Sequence, residues 1–98
     1  MIEKVEKFNK MHGSKLSANI RMLDIISETG ELSKEVIKSQ SYGEKTFSLT
    51  KNLEMEFGDV LYALISFGIE QDIDIEKSLD IVLEKYLSRI KQKGELGS

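Results

Sequence analysis

The chain has 98 residues, a size that suits one domain and leaves much of its surface unburied unless copies pair. With 40% hydrophobic and 32% charged residues, no cysteine and no apolar run near the ~18 residues of a membrane span, the sequence excludes spanning helices, disulfides and thiolate chemistry. A net charge of −3 with acids and bases interleaved offers no basic stripe for long nucleic acid, and a single histidine, His12, excludes Ser-His-Asp triads and histidine-rich metal sites. Catalysis, if there is any, falls to carboxylates. The opening Met1-Ile2-Glu3-Lys4 lacks the apolar core and cleavage site of a signal peptide, so a cytoplasmic protein that starts here is expected.

Proline is absent and the apolar residues recur at helical spacing, which predicts an all-α chain of four helices. The first is expected over Ile2 to Met11, with Ile2, Val5 and Phe8 on one side and His12-Gly13 as a left-handed stop. The second is expected from Leu16 to Lys38 after a Ser14 cap, burying Leu16, Ile20, Leu23, Leu32 and Val36. Gly30 interrupts it between two glutamates, which suggests a close approach by another backbone or a ligand, with simple tolerance as the other reading. Residues 39–48 are polar and aperiodic, a loop long enough to cover a site. The third helix is expected over Leu49 to Gln71. The fourth should run from an Asp74 cap to Lys91, with Leu79, Val82, Leu83, Tyr86, Leu87 and Ile90 in the cleanest apolar stripe of the chain. No repeat or linker divides residues 1–98, which read as a single domain with an N-terminal helix in 1–13 and a frayed tail at 94–98.

Asp24, Glu28, Glu31 and Glu35 stand at i, i+4, i+7 and i+11, so four acids share one face of the second helix. A solvated stripe eased by Lys34 and Lys38 is a sufficient account of those four alone, since each repulsive pair costs only about 0.2–0.5 kcal/mol. The third helix changes the balance. Glu56 and Asp59 lead into the most apolar run of the chain, residues 60–67, and neither has a basic partner three or four residues away. Their carboxylates are expected against packed apolar surface, where an unpaired charge costs several kcal/mol unless something compensates it. Glu28-x-x-Glu31 and Glu56-x-x-Asp59 each place two acids on one helical face, about 4.5 Å apart along the axis. Brought together on antiparallel helices, they form a four-carboxylate pocket suited to Mg2+, or Mn2+ in its place, and hence to a substrate bearing phosphates.

Ser27-Glu28-Thr29-Gly30-Glu31-Leu32 and Glu56-Phe57-Gly58-Asp59-Val60-Leu61-Tyr62 resemble the two signature segments of MazG-like nucleoside triphosphate pyrophosphohydrolases. Ser27 stands where that pattern, Glu-Glu-x-x-Glu followed by Glu-x-x-Asp, has its first glutamate. Asp24 occupies a position that is basic in many relatives. The resemblance implies an all-α four-helix bundle completed by homo-oligomerisation, as a homodimer or dimer of dimers. It also implies magnesium-dependent cleavage of a nucleoside triphosphate to monophosphate and pyrophosphate, for clearance of the nucleotide pool. Glu28, Glu31, Glu56 and Asp59 would hold the metal, and Glu31 or Glu28 would act as the base. Lys85 and Arg89 on the fourth helix would bind the outgoing pyrophosphate, with solvated side chains as the plain alternative. Tyr62 would stack on the nucleotide or hydrogen-bond a ligand carboxylate, or else serve as a core tyrosine; Phe8, Met11 and His12 are weaker candidates for reaching the base. Two rival functions remain at this point: a non-enzymatic helical dimerisation or adaptor module, and a phosphoribosyl-ATP pyrophosphohydrolase with similar acid pairs.

Overall fold

In a computed structural model that describes residues 1–13 and 15–93, the chain forms four helices and, among the described residues, no strand. They are α1 (Ile2–Met11), α2 (Ala18–Ser39), α3 (Lys51–Glu70) and α4 (Ile75–Lys93). The all-α expectation is met. Ser14, the expected cap of α2, and the tail 94–98 lie outside the described residues.

Local chemistry sets the boundaries. At the end of α1 the N–H groups of His12 and Gly13 bond to the carbonyls of Phe8 and Asn9. Gly13 is not left-handed there; a Cβ on it would come within 2.9 Å of the Asn9 Cα, so the glycine serves a close approach. Helix α2 begins two residues later than expected, with Ser17 as its N-cap residue, because the N–H of Leu16 is drawn to the Glu70 carboxylate at 3.2 Å. Thr50 caps α3 by accepting the Leu53 N–H at 3.1 Å, and Asp74 caps α4 by accepting that of Lys77 at 3.0 Å. The α2–α3 connection turns through three successive residues of positive φ: Ser41, Tyr42 and Gly43.

Helix α3 is the hub. Helices α1 and α2 both pack on it, and α4 meets it alone, where Ile75 sits so close to Gly68 that a Cβ there would lie 2.7 Å from the Ile75 Cγ1. Helix α2 runs antiparallel to α3, since Arg21 meets Glu70 at one end while Glu28 meets Glu56 and Asp59 nearer the other. The core is thin: among the described residues, the buried apolar side chains are Leu53, Ala63 and Ile65.

Two expectations about burial need correcting. Ile20 and Leu23 are exposed, and the side of α2 turned to α3 instead carries Arg21, Ile25, Glu28, Leu32 and Val36. The apolar stripe of α4 is not buried either, because α4 stands off from α1 and α2. The radius of gyration is 16.6 Å, against about 13 Å for a compact domain of this length.

Candidate metal centre

Antiparallel packing brings the two acid pairs face to face. One carboxylate oxygen from each of Glu28, Glu56 and Asp59 lies within 4.8 Å of the others, the first two groups half-buried and Asp59 exposed. The expectation that Asp59 points into packed apolar surface is therefore not met; the helix turns it to the solvent side of the α2–α3 seam. Glu31 is exposed and stands outside this trio, though near enough for its charge to act on both Glu28 and Glu56.

Charge along the α2 stripe is compensated at its ends only. Arg21 donates to Asp24 at 2.9 Å, and Lys38 lies 3.7 Å from Glu35. Among the described residues, Glu28, Glu31, Glu56 and Asp59 make no ion pair. Partial burial, then repulsion from Asp59, Asp24, Glu56 and Glu31, holds the Glu28 carboxyl above the usual carboxylate range. Partial burial, then Asp59, Glu31 and Glu35, does the same to Glu56. A hard cation relieves that repulsion. An octahedral ion with oxygens at about 2.1 Å needs neighbouring ligands about 3.0 Å apart and opposite ones about 4.2 Å apart. The trio's oxygens lie within 4.8 Å of one another, and a donor set made wholly of carboxylate oxygens is the kind that hard divalent cations take.

Glycines beside the acids give no steric signal, since a Cβ on Gly30 or Gly58 would meet nothing within 4 Å. Among the described residues, no close approach by another part of this chain accounts for Gly30. Tyr62, one turn beyond Asp59, is half-buried; its hydroxyl donates to Asn9 Oδ1 at 2.6 Å and its ring meets Phe8 edge-on. Asn9 in turn donates to Ser66 Oγ at 3.1 Å, and the Phe8 ring lies 5.4 Å from that of His12. These contacts tie α1 to α3 beside the acids. Lys85 and Arg89 lie on α4, which meets α3 but has no contact with α2. The Lys85 ammonium lies over the Tyr86 ring at 5.3 Å.

Sequence reasoning missed Arg21 and Glu70. The buried guanidinium donates from Nε to Glu70 Oε1 at 3.0 Å and from Nη2 to Oε2 at 2.7 Å, while Leu16 N–H caps the same carboxylate. The Glu70 carboxyl is held below the usual range chiefly by these bonds, and the Arg21 guanidinium is pushed up by them. The pair clamps the start of α2 to the end of α3, two turns along α2 from Glu28. A signal was present: Glu70 closes an apolar run with no basic residue within reach on its own helix.

An all-α bundle that aligns unpaired carboxylates across two antiparallel helices offers the oxygen donors that a divalent cation takes. Residues 17–93 match the MazG nucleotide pyrophosphohydrolase domain, and the chain belongs to that family. It is similar to an uncharacterized protein, YpjD, of Bacillus subtilis (strain 168), with 37% identity over 75 residues. That match takes in 74% of this chain and 66% of the relative, a little under two thirds of the relative's length. No solved structure matches the chain. None of the described helices is long and apolar enough to cross a membrane.

Proposed function

We propose that the protein is a magnesium-dependent nucleoside triphosphate pyrophosphohydrolase that releases a monophosphate and pyrophosphate, acting in the cytoplasm on the nucleotide pool. The observation that carries this reading is the trio of unpaired carboxylates, Glu28, Glu56 and Asp59, drawn within 4.8 Å of one another from two helices. With Glu31 one turn from Glu28, they would hold Mg2+, or Mn2+ in its place. When bound, the cation neutralises phosphate oxygens and acidifies water.

This chain's residues would do the rest. Glu31 or Glu28 accepts the proton of the attacking water as its oxygen bonds to the α-phosphorus; the bond from that phosphorus to the bridging oxygen breaks, and pyrophosphate leaves with the bridge. Glu28 carries the more perturbed environment, Glu31 the freer position, and either fits the role. Tyr62 offers a ring face beside the acids, its hydroxyl already engaged by Asn9. Lys85 and Arg89 on α4 would bind the outgoing pyrophosphate.

The test is pyrophosphate release from a panel of ribo- and deoxyribonucleoside triphosphates, with and without magnesium, for the parent chain and a Glu56→Gln, Asp59→Asn variant. Magnesium-dependent release that the folded variant lacks is the expected result. An inactive parent whose melting temperature is unmoved by magnesium would sink the reading and favour a helical interaction module.

A further inference from the structure

Of the acids along the α2 stripe, Asp24 alone lies beyond Glu28 on the side of Tyr62, because α2 runs antiparallel to α3 and Arg21 meets Glu70 at that end. The aromatic side chains of α1 gather at the same end. Ser66 stands on the helical face of Asp59, two turns on, and accepts from Asn9 at 3.1 Å, so α1 rests on the carboxylate side of α3. It brings the Phe8 ring edge-on to Tyr62, with centroids 6.0 Å apart, and the His12 ring to 5.4 Å from Phe8. A nucleotide with its α-phosphate at the trio and its base towards these rings passes its sugar beside Asp24. The spacing agrees, since one turn of α2 separates Asp24 from Glu28, about 6 Å of rise, which is the reach from an α-phosphorus to the hydroxyls of its ribose.

Asp24 is prepared to accept from a neutral donor. Arg21 donates from Nη1 to its Oδ2 at 2.9 Å, and Arg21 is itself fixed by Glu70 through Nε and Nη2. The guanidinium therefore orients the acid and balances its charge beside the phosphates. Among the described residues nothing donates to the other oxygen, Oδ1, and the side chain is 35% exposed. Two plainer roles fit less well. Arg21 does not need Asp24 for burial, because Glu70 already takes it in two bonds, and Asp24 stands outside the trio that would hold a cation.

We infer that Asp24 selects the sugar: its free oxygen accepts a hydrogen bond from the 2′-hydroxyl of a ribonucleoside triphosphate, so that ribose is preferred to 2′-deoxyribose. The inference rests on the nucleotide reading proposed above and adds the sugar to it. A carboxylate reads the same hydroxyl in dinucleotide-binding folds. The 2′-hydroxyl sits on the carbon next to the one that bears the base, and Asp24 lies past Glu28 in the direction of the rings.

The test is a sugar series on one base. Binding in magnesium is measured by isothermal titration with α,β-methylene triphosphates, which resist cleavage, and kcat/KM with the hydrolysable forms. Ribose is expected to bind more tightly than 2′-deoxyribose by about tenfold, the worth of a hydrogen bond to a charged acceptor. The 2′-fluoro sugar keeps an electronegative group but has no proton to donate, so it should bind like the deoxy form. In Asp24→Ala the ratio of ribose to deoxyribose, in affinity and in kcat/KM, should fall close to one. A parent that binds deoxyribose as well as ribose, a 2′-fluoro sugar that matches ribose, or a folded Asp24→Ala chain that keeps the ratio would each overturn the inference. The first two are read on the parent and do not depend on how the variant folds. Magnesium-dependent binding without sugar preference removes this role of Asp24 and leaves the enzymatic reading standing, whereas no binding of any nucleotide removes both.

Discussion

Glu70 and Arg21 form a contact whose worth can be measured directly. Replacing either member leaves a desolvated charge without its partner, so Arg21→Gln or Glu70→Gln is expected to cost about 3 kcal/mol in chemical denaturation, far beyond a surface pair. The sign with pH follows from Glu70 being held below its ordinary range. Its stabilisation is fully present above the unfolded carboxyl pKa of about 4.3 and is lost as pH falls through the lower folded value. Melting curves from pH 6 to pH 3 should therefore show a steeper acid loss in the parent than in Glu70→Gln. Equal slopes would mean that the clamp contributes nothing.

At the carboxylates the expected effect is on cation affinity. Losing an outer partner of a metal ligand commonly costs 10–100-fold, so Glu56→Gln or Asp59→Asn should weaken Mn2+ binding at least about tenfold by isothermal titration. Unchanged affinity in the Asp59→Asn chain would remove that residue from the site. These acids were legible in the sequence because two unpaired charges beside an apolar run violate ordinary patterning. Glu70 carried the same signal and was passed over, because an acid at a helix end also reads as solvated; Arg21 gave none, since its partner lies on another helix 49 residues away.

Elements were read most reliably where stop signals are local. Helix α1 was legible to the residue, and the Asp74 cap of α4 was correctly placed. The start of α2 was missed because Glu70, 54 residues away, takes the N–H that the helix would otherwise order. Periodicity found the apolar stripe of α4 but misplaced that of α2, where Ile20 and Leu23 are exposed, and it could not say what covers an apolar face. Gly30 is a test at this scale. With nothing within 4 Å of its would-be Cβ, Gly30→Ala should stabilise the fold by about 1 kcal/mol in thermal or urea denaturation. If stability rises while nucleotide turnover falls, the glycine makes room for substrate; if both are preserved, its presence is simple tolerance.

For the whole molecule, the large exposed surface sets a test of whether copies fold together. The melting temperature should rise with concentration across the micromolar range if copies fold together, and should stay flat for an autonomous monomer.

The uneven compensation of the α2 stripe has a kinetic meaning. With Asp24 and Glu35 neutralised at the ends, the negative potential is concentrated at Glu28 and at the two acids facing it. Such a mouth attracts divalent ions and repels a bare triphosphate. In the proposed reaction the nucleotide must therefore arrive already paired with a cation, or after one has docked. Triphosphate in excess of cation would slow turnover by competing for the ion before it reaches the protein.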